Sequence, residues 1–441
     1  MLSKWWSLPL VVALLAVGFS AIFHWDLLFP PAKQEQQHEQ QEQQPQQLYS
    51  DFNAWLNAEA WRYHPLDGLP FTPLLTCEPN ASSLMSRFDW KIVPESAWKD
   101  GNSPSGTNES CGPVDDLPWV ENISVAEPKT IWAAPHALHR LLEIAAERLD
   151  PAKAADRVVV FSGTEYPISR AFGRNESELR ATVRQLQKYF KRILYQTMDV
   201  YLEGVGVAPM GLCWGYMMVT LFEWAFNKEG KPLHQAFIDF AATLRGGLST
   251  KSREVLATKG MVAGWLWRES TMTYLKFLER MDRAFPPSNS SLKAVATAYE
   301  SRMRLRAWLR VSESSEEVTN PAAIAAGVEF RYIPVAKWWQ ELAKYKFLLS
   351  PLGSGLQAAK SIEALLVLTI PVIQRMSFKI WNELVRLGFP FVLVWGWVEV
   401  TPANTSRWWQ ALSPRLESFR KNCLSVEGYW RMYTGQVAFC A

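Results

Sequence analysis

Short apolar runs alternate with amphipathic stretches along most of the chain, and the clearest case is Lys346–Gln374. Phe347–Ser350 is apolar and of strand length, and Pro351, Gly353 and Gly355 then interrupt it. Leu356–Leu368 lacks Gly and Pro and is rich in Ala and Leu, which predicts a helix. Ile370–Ile373 is a second short apolar run with Pro371 near its start, where a strand tolerates proline. The pattern predicts strand, glycine loop, helix, strand: one βαβ unit.

The same alternation extends to both sides. Ile131–Leu149 predicts a helix, with Leu138, Leu141, Leu142 and Ile144 on one side. Val158–Phe161 predicts a buried strand, with Gly163–Pro167 as the loop at its carboxyl end. Ser177–Leu202 predicts one long amphipathic helix with a basic outer face. Leu212–Phe226 is apolar, but Glu223 and its shortness favour a buried helix over a membrane span. Pro232–Leu244 predicts a further helix, ended by Gly246 and Gly247. Beyond a boundary placed between Gly247 and Lys259, strands are predicted at Met261–Trp267, Val328–Tyr332 and Phe389–Val394. Helices are predicted at Thr271–Phe285, Leu292–Leu309, Trp338–Lys344 and Ser377–Leu387, the last stopped by Gly388. The second half therefore reads β-α-β-α-β, a parallel sheet under the right-handed crossover rule.

The amino-terminal pattern differs. Trp5–Phe23 is a run of 19 residues without a charge, with Lys4 before it and Asp26 after it. That length spans a bilayer, and the flanking charges put residues 1–4 in the cytosol and the rest in a lumen. A signal-anchor is the preferred reading. A cleaved signal peptide, with Ser20 and Ala21 as its site, is the alternative. Residues 24–50 form a Gln-rich stem that has little apolar surface to bury, and 51–130 is loop-rich. Six N-glycosylation sequons, at Asn80, Asn108, Asn122, Asn175, Asn289 and Asn404, support a secretory lumen. Of the five cysteines, Cys77 with Cys111 and Cys423 with Cys440 are the expected pairs, and Cys213 is expected as a buried thiol. A net charge of +3 with no basic stripe argues against a nucleic-acid partner.

Chemistry concentrates at the glycine loop. Ligands of open α/β sheets sit at strand carboxyl ends, where Ser350, Gly353 and Gly355 fall. A helix start there presents free N–H groups to an anion. Lys360 adds charge for a phosphate, and Glu363 shares its helix face as an acceptor for a ribose diol. A ligand-free loop beside a solvated Lys–Glu pair fits the same spacing. His136 and His139 stand three apart without an evident third ligand, which favours an ordinary helix surface. Trp338-Trp339 and Trp408-Trp409 suit sugar stacking or, more simply, packing.

The run from Phe347 to Ile373, F-L-L-S-P-x-G-x-G-x-Q-x-x-K-x-x-E-A-L-x-x-x-x-I-P-V-I, resembles the donor-sugar motif of exostosin-like glycosyltransferases. Phe389–Val394, Trp397 and Val398–Thr401 resemble that family's next strand and exit, and Leu412–Tyr433 its closing helices. The likeness covers roughly Lys259–Tyr433. Three positions depart from it: Lys360 stands for the usual Arg, Gln357 for a common acid, and Leu368 for a Gly before Ile-Pro-Val, where it is expected to crowd the pocket.

The resemblance implies an α/β chain of GT-B type, with two Rossmann-like domains facing a cleft behind a transmembrane helix and stem. The domains are then 131–250 for the acceptor and 251–400 for the nucleotide-sugar, followed by helices at 401–441. The implied activity is that of a Golgi type II membrane glycosyltransferase acting on a glycan or glycoprotein acceptor. A nucleotide-sugar is its donor substrate, with no cofactor. The chain has no Asp-x-Asp motif, so no metal is expected, and Arg268 and Lys360 are expected to steady the leaving diphosphate. Glu165 is the candidate base. A catalytically degenerate sugar-binding protein on the same scaffold and a membrane-anchored interaction protein are the competing classes.

Overall fold

The computed structural model describes residues 71–72, 84, 87–94, 119–163, 166–213, 259–265, 300–311, 317–333, 337–352 and 356–441. The anchor and stem read at 5–50, and Glu165, Arg268, Gly353 and Gly355, lie outside them. So do Asn80, Asn108, Asn289, the Cys77–Cys111 pair and the helices read at 232–244 and 271–285. Among the described residues no helix is long and apolar enough to cross a membrane. All of the described residues belong to one compact unit.

The architecture is α/β and carries two main sheets. The first is ordered β3-β2-β4-β5-β6-β7, from β2 (Trp90–Pro94), β3 (Trp119–Asn122), β4 (Thr130–Ala133), β5 (Val158–Phe161), β6 (Arg192–Tyr195) and β7 (Val205–Val207). Only β3 runs antiparallel to its neighbour. A short β1 (Phe71–Thr72) pairs in parallel with β8 (Leu212–Cys213). The second sheet is wholly parallel, ordered β10-β9-β11-β12-β13. Its strands are β9 (Lys259–Trp265), β10 (Val328–Tyr332), β11 (Tyr345–Ser350), β12 (Ile370–Gln374) and β13 (Val392–Val394).

Three elements of the first half differ from the sequence reading; the described start of the helix read at Leu212–Phe226, Leu212–Cys213, is strand β8. Thr130–Ala133 is a buried strand, and helix α1 (Leu138–Arg148) begins only after Pro135. Thr130, Ile131 and Trp132 favour the pleated conformation, and the proline stops the ladder. The long helix read at 177–202 is instead α3 (Glu176–Gln187), followed by β6, with α2 (Ile168–Ala171) preceding it. Ile193, Leu194 and Tyr195 are buried as a run, which suits a central strand covered on both faces.

The second half follows the predicted alternation. It contains α4 (Pro321–Ala325), α5 (Trp338–Leu342), α6 (Ala359–Leu366) and α7 (Ile380–Arg386), with residues 300–309 also helical. Trp338 and Trp339 are core residues, while Trp408 and Trp409 pack edge-on against Phe347. Three closing helices follow: α8 (Pro402–Leu412), α9 (Leu416–Asn422) and α10 (Val426–Thr434). The expected Cys423–Cys440 disulfide is present at 2.07 Å, and it straps the tail against Gly388. Cys440 N donates to Leu387 O at 2.8 Å, and Gly388 adopts φ 107°. A Cβ at Gly388 would lie 2.0 Å from Cys440 O, so only glycine admits this approach.

Candidate functional site

The strand order of the second sheet reverses between β9 and β11, the topological switch point where such sheets bind ligands. Tyr345 pairs with Lys259 and Leu348 with Val262, so the loops leaving Trp265 and Ser350 start side by side. The first holds Arg268 and the second Gly353 and Gly355, all beyond the described residues.

Around the described end of β11 a cationic cluster is assembled. The Ser350 and Ser361 hydroxyls, both buried, share a hydrogen bond of 2.9 Å that ties the strand end to the first turn of α6. Arg302 Nε donates to Leu352 O at 3.1 Å, and Leu352 N donates to Ser301 Oγ at 3.3 Å. The helical residues 300–309 therefore hold the start of the loop. No side chain caps the α6 amino terminus at Ala358. Lys360 lies in its first turn, its ammonium end enclosed and pushed down to about 7. Burial is the main cause and nearby Arg302 adds to it, while Glu363 opposes it.

Glu363 is buried on the same face of α6. Its Oε2 accepts from Trp338 Nε1 at 2.8 Å. Burial raises its carboxyl to about 7, against the lowering effects of Trp338 and Lys360. Arg302 and the indole donor of Trp338 escaped the sequence reading. Arg302 sits in a charged helical run, Ser301–Arg306, in which no spacing sets one cation apart.

Gln357 does something else. Its Nε2 donates to Gln196 O at 2.6 Å and Ala208 O at 2.8 Å, and its Oε1 accepts from Met210 N at 2.8 Å. Gln196 follows β6 and Ala208 follows β7, so the carboxyl ends of the two sheets meet here. Tyr433 Oη donates to Pro209 O and Tyr429 Oη to Met210 O. Three successive carbonyls, at 208, 209 and 210, are thus each satisfied from the other half. An amide meets this need, because it both donates and accepts, and a carboxylate only accepts.

Leu368 does not crowd this site. It sits between α6 and the amino end of β12, away from the strand carboxyl ends, buried at φ 62°. In that left-handed backbone a leucine bears about 1–2 kcal/mol of conformational cost that a glycine would not.

In the first half, Trp132 Nε1 donates to Ser162 Oγ at 2.7 Å, and Gly163 N donates to Gln196 Oε1 at 3.2 Å. Asp199, its carboxyl raised by burial, accepts from both the amide and the hydroxyl of Ser169. Those bonds anchor the turn that follows the Glu165 loop. His136 packs against Tyr166 at 4.2 Å, His139 is exposed, and the described residues hold no cluster suited to a metal. Of the sequons, Asn122 lies in β3, Asn175 is exposed and caps α3, and Asn404 is partly exposed in α8.

No family model matches the chain, and no curated protein matches it. Among solved structures, similarity is found to a UDP-forming α,α-trehalose-phosphate synthase from Burkholderia vietnamiensis. The identity is 12%, covering 69% of this chain and 72% of that one, with a TM-score of 0.28. Similarity is also found to HepE from Anabaena in complex with UDP, at 12% identity over 71% and 75% with a TM-score of 0.24.

Proposed function

We propose that the chain is a glycosyltransferase of GT-B type that moves a sugar from a nucleotide-sugar donor to a glycan or glycoprotein acceptor. The observation that carries this reading is the cluster of Arg302, Lys360 and Glu363 beside the β9–β11 switch point. Two cations and an open helix start at a strand carboxyl end suit a diphosphate. Lys360 takes up a proton as the anion arrives, and with Arg302 and Arg268 it offsets charge on the departing diphosphate. Glu363 keeps Oε2 on Trp338 and offers Oε1 to the ribose. Glu165, in the stretch between β5 and α2, serves as the base toward the acceptor hydroxyl.

The same reading places residues 5–23 as an anchor in the Golgi membrane and the remainder, with its sequons and the Cys423–Cys440 bridge, in an oxidising lumen. One observation favours a degenerate sugar-binding scaffold instead: Glu363 already has a protein partner in Trp338. Incubating the full chain with a panel of UDP- and GDP-sugars separates the two. Slow donor hydrolysis supports a transferase. Nucleotide binding without turnover of donor, alone or with acceptors, supports the scaffold.

A further inference from the structure

On the strand next to β11, the chain emerges from β12 at Arg375, which donates its backbone N–H to Val394 O at 2.8 Å. The Arg375 guanidinium lies 5.0 Å over the ring of Trp395, the residue that follows β13. Among the described residues this guanidinium makes no hydrogen bond and no ion pair, and its Nε is buried without a partner. Trp395 is 68% exposed, so a ring with one face under an arginine leaves the other open. Its carbonyl is held by Gln374 Nε2 at 3.2 Å, which fixes the loop that carries it. At the far end of the Arg375 loop, Lys379 Nζ lies 5.0 Å over Tyr201, which belongs to the first half. The loop thus runs between the halves, with a cation stacked on an aromatic ring at either end.

The Arg375 guanidinium has its ring partner but no hydrogen-bond acceptor among the described residues, and the indole beneath it is exposed. The guanidinium presents a planar fork suited to an oxyanion, and the indole presents a flat apolar face suited to the C–H face of a pyranose. A neutral sugar leaves the fork unused, and a bare anion leaves the indole exposed. We propose that Arg375 and Trp395 form a saccharide subsite for a sugar ring bearing an oxyanion substituent: carboxylate, sulfate or phosphate. Under the transferase reading, on which this role rests, the subsite lies in the nucleotide-sugar half beside the donor loop and meets the acceptor at the border with the first half, where Lys379 stacks on Tyr201.

Ligand-observed NMR titration of the full chain tests it with methyl glucuronide, glucose 6-sulfate and glucose 6-phosphate, each against methyl glucoside. At least one charged sugar binds about tenfold more tightly than the neutral one, as a guanidinium–oxyanion pair implies. The best of the three identifies the substituent. Arg375→Gln removes the preference, Trp395→Ala weakens all four sugars, and Trp395→Phe restores binding with the preference intact. UDP affinity, measured separately, stays within about twofold in each variant. Equal binding of charged and neutral sugars by the parent overturns the proposal. So does an Arg375→Gln variant that loses UDP affinity while keeping the sugar preference, since the arginine then belongs to the donor. A parent that binds a charged sugar but no UDP leaves this subsite standing and defeats the donor-site reading instead.

Discussion

Replacing Gln357 with Glu converts a buried donor–acceptor into an acceptor alone. The Met210 N–H keeps its partner, but Gln196 O and Ala208 O lose theirs and meet a carboxylate oxygen at the positions now bonded at 2.6 and 2.8 Å. Each buried carbonyl left unsatisfied costs about 1–3 kcal/mol. Relaxation of the 208–210 loop is limited, because Tyr429 and Tyr433 hold its next two carbonyls. A loss of about 3 kcal/mol follows, which lowers Tm by roughly 5–10 °C. The penalty is pH-dependent. A buried glutamic acid with a raised pKa is favoured protonated, so its stability is lost as pH rises, and the deficit at pH 8 exceeds that at pH 5. Thermal melts of the parent, Gln357→Glu and Gln357→Met at both pH values measure this. Met, uncharged and similar in size, loses stability equally at the two. A Gln357→Glu protein melting within a degree of the parent at pH 8 refutes the cross-link between the sheets.

Glu363→Gln keeps an acceptor for the Trp338 indole and folds like the parent, whereas Glu363→Ala strands that buried N–H and costs about 1–3 kcal/mol in denaturant melts. The Lys360–Glu363 pair makes stability lowest near pH 7. The Glu363 contribution falls from its ordinary 4.5 up to about 7, and the Lys360 contribution falls as pH drops from 10.5 to about 7. The difference in Tm between the parent and Lys360→Met/Glu363→Gln, followed from pH 5 to 9, is therefore largest in the middle of that range. Gly388→Ala meets Cys440 O at 2.0 Å on a left-handed backbone and loses at least about 2 kcal/mol by chemical denaturation.

The βαβ unit at 345–374 was legible because each of its parts carries its own local signal: an apolar strand, glycines, an Ala-rich helix and a second apolar strand. Strand β6 was not, because Arg192–Tyr195 continues the basic, amphipathic run of α3 without a glycine or proline between them. Burial on both faces, which only tertiary packing supplies, decides for strand there. The positions of Lys360 and Glu363 on one helix face followed from spacing. What surrounds them did not, since Arg302 and Trp338 lie 58 and 25 residues away along the chain. Gln357 looked like a missing acid at the loop, and it is an amide spent on bonds to the opposite sheet. A side chain's partners at a separation of 161 residues leave no trace in local pattern.

We propose that the carboxyl end of β11 holds a nucleoside diphosphate through Lys360 and Arg302. Isothermal titration of the full chain with UDP and GDP, in two buffers of different ionisation enthalpy at pH 7.5–8 (about a unit above the Lys360 value), tests it most directly. At least one nucleotide binds with proton uptake, Lys360→Arg retains or improves that affinity, and Lys360→Met loses about tenfold or more. Binding with no proton exchange and unchanged affinity in Lys360→Met, or no binding of either nucleotide by the parent, contradicts it.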